Sequence, residues 1–143
     1  SPIQNQIIKG IKNSRVNAIK MSSEIDGGPV YCSRPVTLQG SLTDIWLAIA
    51  DQTKILIREC TINNLKPTNQ KTDAISLNKR RKTSSIPVTS LNEIIDFYDH
   101  IRMLDAEGYP SASVKLGNFL IEFSRASIEN NKIRCDAIIE KSS

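Results

Sequence analysis

The sequence predicts an α/β chain joined through a polar linker to a small α+β appendage, and three observations predict it. Apolar residues recur at helical spacing from Ser41 to Cys60, the mark of a long amphipathic helix. After Gly108-Tyr109-Pro110 the apolar period switches from helical to two, the mark of half-buried strands. Between them, Asn63 to Pro87 is polar, with Pro67, Lys79-Arg80-Arg81-Lys82 and Thr83-Ser84-Ser85, and reads as a linker.

The elements follow in order. Ser1-Pro2-Ile3-Gln4 opens as a helix start, with Ser as N-cap and Pro at the first helical position. Ile3, Ile7 and Ile8 share a face and Gly10 ends the helix. A strand is expected at Val16–Met21 and another at about Val30–Val36. Ser41 and Asp44 form a capping-box pair ahead of the long helix, whose apolar face is Leu42, Ile45, Trp46, Ile49, Leu56 and Cys60. Trp46 is read as core and the three cysteines, Cys32, Cys60 and Cys135, as small core residues. Ser90 and Glu93 cap a second helix with the apolar face Leu91, Ile94, Ile95, Tyr98 and Ile101, on which His100 is expected to be exposed. Ala112, Val114 and Leu116, then Phe119, Ile121 and Phe123, then Ile133, Cys135, Ala137 and Ile139 alternate. With Gly117-Asn118 as a two-residue turn and Glu129-Asn130-Asn131 as a second, they predict a three-stranded antiparallel meander. The expected divisions are residues 1–62, 63–89 and 90–143.

Composition limits the partners. The chain has 143 residues, 39% of them hydrophobic, a net charge of +4 and a pI near 9.1. This mild basic excess points only weakly to polyanions. No apolar run is long enough to span a bilayer, and no signal-peptide pattern is read. Three widely spaced cysteines make neither a disulfide framework nor a zinc set, so the expectation is a reducing cytoplasm, with no membrane partner and no metal.

One stretch has the makings of chemistry: Glu24-Ile25-Asp26-Gly27-Gly28-Pro29, a carboxylate inside a turn of two glycines and a proline. An acid at the tip of a strand is where open α/β sheets keep reacting groups, and glycine lets a flat ligand approach the main chain. Taken alone, the same residues also describe an ordinary surface turn.

Residues on both sides of that turn carry a resemblance. Ser1-Pro2-Ile3-Gln4, Gly10, Met21 and Ile25-Asp26-Gly27-Gly28-Pro29, and later Arg80-Arg81 and Ile101-Arg102-Met103-Leu104-Asp105-Ala106-Glu107-Gly108-Tyr109-Pro110, resemble the folate-dependent formyltransferases. That family includes methionyl-tRNA, amino-sugar and glycinamide ribonucleotide enzymes. The chain departs from it at Ser14-Arg15-Val16, where the family has Thr-Gly-Val. The resemblance implies the C-terminal part of a Rossmann-like formyltransferase domain, followed by the linker and appendage. It implies 10-formyltetrahydrofolate as formyl donor and Asp26 as the catalytic proton-relay and positioning residue. Met21, Ser22, Ser23, Glu24, Ile25 and Gly28 would line the pterin slot. Gln4, Arg102 and Tyr109 would contact the acceptor. An Asn-x-His element completing the site is expected upstream of Ser1, on an N-terminal half supplied by covalent or associated chain.

The resemblance implies an amine as acceptor. A small one on a nucleotide-linked sugar is expected, because Ser111 to Ser143 hold a meander rather than a full barrel; methionyl-tRNA is the alternative. A different class is a non-catalytic module that has lost the Asn-x-His half. Lys79-Arg80-Arg81-Lys82 reads either as phosphate-contacting or as a solvated linker. Arg102, Asp105 and Glu107 either line a substrate mouth or flank a helix end, with Arg102 complementing its dipole.

Overall fold

A computed structural model describes residues 2–70, 84–86 and 91–142. In order they form α1 (Pro2–Ile8), β1 (Asn13–Ile19), β2 (Val30–Thr37), α2 (Leu42–Ile62), α3 (Ile94–Arg102), β3 (Ala112–Leu116), β4 (Phe119–Glu129) and β5 (Lys132–Lys141). They make two compact units, which do not follow chain order. One is Ser1–Ile11 with Gly40–Thr43 and Asn78–Ser143; the other is Lys12–Gln39 with Asp44–Leu77. The α/β character and the meander stand as expected; the two strands of the second unit are an antiparallel pair.

In the second unit, β1 and β2 pair from Asn13↔Thr37 to Ala18↔Cys32, with an irregularity before Ile19↔Val30. The strand starts three residues earlier than expected and stops at Ile19. Alternation then sorts the faces. Arg15, Asn17 and Ser33 share one face, where Arg15 Nε donates to Ser33 Oγ at 2.7 Å and Ser33 Oγ to Asn17 Oδ1. Cys32, Arg34 and Val36 share the other, and there Arg34 binds Glu59 of α2, its Nε donating to Oε2 at 3.3 Å. Val36, Leu38, Ile45 and Leu56 are buried hydrophobic residues of this unit. Trp46 is half-buried rather than core, at the edge of the α2 stripe.

In the first unit, α1 ends in a Schellman motif. Gly10 takes φ +69, its N–H donates to Ile7 O at 2.9 Å, and Ile11 N–H donates to Gln6 O at 3.0 Å. Ile7 and Gln4 are the buried residues of that helix. The N-cap of α3 is Glu93, with Asp96 at N3 accepting from the Glu93 N–H at 3.1 Å. The box therefore sits three residues later than the expected Ser90–Glu93 pair, and Ser90 lies outside the described residues. The expected apolar face of α3 is corrected as well. Ile94 and Ile95 are exposed, whereas Ile101, Met103 and Leu104 are buried together with Asp99, His100 and Arg102. His100, expected outside, is 5% exposed. The last turn of α3 is enclosed on all sides, so its polar residues are inside too.

The meander has order β3-β4-β5, with Leu116↔Phe119 and Glu129↔Lys132 closing two-residue turns. Gly117 takes φ +58, and Asn130 and Asn131 take φ +50 and +57, as primed hairpin turns require. Phe97 of α3 meets Phe123 of β4 edge-on at 5.5 Å. Most of the expected linker, including Lys79-Arg80-Arg81-Lys82, lies outside the described residues. Two short pieces of it pair with strands: Thr68 bridges Val30 and Ser85 bridges Ser113, and Ile86 is buried.

Candidate functional site at the Asp26 loop

The candidate site is the connection between β1 and β2, Lys20 to Pro29. Lys20 N–H donates to Pro29 O at 2.8 Å and closes its base. Ser22 Oγ donates to Glu24 O at 3.1 Å. The unusual backbone belongs to the acid. Asp26 takes φ +56, a left-handed conformation to which aspartate is better suited than most residues. Gly28 has a different reason to be glycine. A Cβ there would stand 1.7 Å from the Lys20 carbonyl oxygen, so only a bare backbone fits the closed base.

The chain beyond α2 fastens the loop from outside. Val30 and Thr68 exchange two hydrogen bonds, at 2.8 and 2.9 Å. Two residues later, Gln70 Nε2 donates to Asp26 O and to Gly28 O, both at 2.7 Å. The tip is thus tethered on both sides of Gly27, while the Asp26 residue itself stays exposed. Gln70 is the positioning residue that sequence reading missed. Nothing in a polar stretch distinguishes a glutamine that returns to a loop 44 positions earlier.

A pocket of about 230 Å³ opens here, lined by Ile19, Lys20, Met21–Asp26 and Gly28. It therefore brings together Asp26 and every residue expected to face a folate ring: Met21, Ser22, Ser23, Glu24, Ile25 and Gly28. Met21 is 89% exposed and Ile25 95%, so two apolar side chains stand in solvent beside a carboxylate. The volume is below the ~300–1,000 Å³ of pockets that enclose a whole drug-sized ligand.

The expected acceptor residues belong to the first unit. Gln4 is buried at 4% exposure on α1. Arg102, 8% exposed, is engaged internally: Nε donates to Asp99 Oδ1 at 2.6 Å, Nη1 to Gly40 O at 2.9 Å, and its guanidinium lies 5.5 Å from the Tyr98 ring centre. Tyr109 is partly exposed. Among the described residues no cluster of three His, Cys, Asp or Glu is placed to hold a metal, and no helix is long and apolar enough to cross a membrane.

Residues 81–140 match the family model described as methionyl-tRNA formyltransferase, C-terminal domain. The solved structure of methionyl-tRNA formyltransferase from Clostridium thermocellum is similar over 99% of this chain, with 35% identity and a TM-score of 0.89. These two matches support the folate-dependent formyltransferase family, C-terminal part. The chain spans 63% of that protein's length. Two structures of HypX from Aquifex aeolicus share the fold at much lower identity. A multiply substituted variant gives 16% identity and a TM-score of 0.65 over 91% of this chain and 24% of that one. The complex with tetrahydrofolic acid gives 17% and 0.64 over 87% and 22%. No curated protein matches the chain.

Proposed function

We propose that this chain supplies Asp26 to an N-formyltransferase that moves a formyl group from 10-formyltetrahydrofolate to an amine, and that the amine is that of methionyl-tRNA. The observation that carries the reading is the tethered acid beside a pocket of about 230 Å³. The 35% identity to a methionyl-tRNA formyltransferase and the match to that enzyme's C-terminal domain support the tRNA acceptor. A nucleotide-linked amino sugar, the acceptor expected from the sequence, has no counterpart among these relatives.

The folate derivative supplies an activated formyl carbon. Met21 and Ile25 offer an apolar flank for its ring. The attacking amine must lose a proton and the departing folate nitrogen must gain one. The Asp26 carboxylate holds that proton between the two events. Donors for the developing oxyanion would come from the Asn-x-His element expected on the preceding part of the protein. In the same reading, residues 1–62 complete the catalytic domain, 90–143 form an appended domain, and Tyr109 is the most accessible of the three acceptor candidates. A cytoplasmic location follows from the tRNA acceptor.

The test is Asp26→Asn in the full-length protein, assayed with methionyl-tRNA and with a nucleotide-linked amino sugar. Turnover with the tRNA is expected to fall by at least roughly a hundredfold with folding intact. Unchanged turnover removes Asp26 from the mechanism, and turnover on the sugar alone overturns the acceptor.

A further inference from the structure

Cys32 of β2 and Cys60 in the last helical turn of α2 bring their Sγ atoms to 3.4 Å, and both are half-buried and free. The sequence suggested unrelated core residues, since 28 positions separate them. Their setting is specific. Cys32 and Arg34 lie on one face of β2, Cys60 and Glu59 are adjacent on α2, and Arg34 is bonded to Glu59. That ion pair holds strand and helix in register beside the thiols. A disulfide needs an S–S distance of about 2.05 Å, so closure requires the two sulfurs, now 3.4 Å apart, to approach further.

The pair also stands at the foot of the candidate site. Cys32 lies two residues beyond Val30, which pairs with Thr68. Cys60 precedes the segment that delivers Thr68 and Gln70 to the Asp26 loop. We propose that Cys32 and Cys60 are a modification site, closed to an intramolecular disulfide by a hydroperoxide and reopened by thiols, which staples β2 to α2 and tightens the Asp26 loop. The Cys60 sulfur, as thiolate, attacks a peroxide oxygen. The O–O bond breaks and leaves a sulfenic acid. The other sulfur attacks that sulfenic sulfur, the S–O bond breaks and the S–S bond forms. Two thiols lose two electrons and two protons, and the hydroperoxide is reduced to an alcohol and water, or to two waters when it is hydrogen peroxide.

The experiment treats the intact protein with hydrogen peroxide, blocks remaining thiols with a maleimide and maps peptides without reduction. A linked peptide containing Cys32 and Cys60 is expected, lighter by two hydrogens, with Cys135 blocked by maleimide. It should disappear with dithiothreitol and fail to form in Cys60→Ser. Amide exchange across residues 20–29 should slow by roughly threefold or more in the oxidised protein. Maleimide on both Cys32 and Cys60 after peroxide, or a link through Cys135, overturns the site. A correct link with unchanged exchange at residues 20–29 overturns its coupling to the loop.

Discussion

At the scale of single residues, the Asp26 loop depends on small features with large steric consequences. Gly28→Ala would put a methyl group against the Lys20 carbonyl. The closing bond between Lys20 and Pro29 must then open, and we expect a loss of about 1–3 kcal/mol of stability, read as a lower midpoint in urea. An unchanged midpoint would show that the base is not closed as described. The thiol of Cys32 makes a separate prediction. Burial pushes it above its ordinary value of 9.0, the Cys60 thiol adds to that through its hydrogen bond and charge, and Arg34 pulls the other way. The charged form is therefore disfavoured in the folded protein. Alkylation of Cys32 should accelerate only at a pH above the usual thiol range, and in urea its profile should move back to lower pH. The stabilisation linked to this group is present below the unfolded value and lost as pH rises through the folded one. A Cys32 alkylation profile identical in folded and unfolded protein would contradict this environment.

Elements owe their irregularities to single partners. β4 is interrupted between Ser124 and Ser127, where Arg125 takes φ +51. The Arg125 N–H donates to Asp105 Oδ2 at 2.6 Å, and the Arg125 side chain pairs with Asp136 of β5. Asp105, which the sequence placed at a substrate mouth or a helix end, thus acts as the clamp of a β-bulge. Asp105→Ala should cost about 1–2 kcal/mol, measured by thermal unfolding, and should raise amide exchange at Arg125. A silent substitution would show that the bulge is held by the strands alone. The enclosed end of α3 follows similar logic. Asp99 and Arg102 satisfy one another, and Arg102 satisfies the Gly40 carbonyl as well. Burial of these polar residues is tolerable because they have partners.

For the whole molecule, the division into two units has an energetic consequence. Gly28 and Asp105 belong to different units and act on separate sets of partners. The double variant Gly28→Ala, Asp105→Ala is expected to lose the sum of the single losses, within about 0.5 kcal/mol. A coupling above about 1 kcal/mol would show that the units share their stability. Asp26 belongs to one unit, and Gln4, Arg102 and Tyr109 belong to the other.

Local chemistry alone determined much of this protein. Gly10 after an apolar helix face, Gly117-Asn118 between alternating strands, and the Leu42 to Cys60 stripe each require only near neighbours, and each appears where the sequence puts it. The acid-bearing turn was legible for the same reason, because Asp26 and its pocket residues are consecutive. The tertiary structure decided what depends on distant chain: the tether from Gln70, the meeting of Cys32 with Cys60, the clamp from Asp105, and the burial of His100 and Arg102. A side chain's burial and its long-range partner are set by what packs around its element, and no periodicity within the element records that.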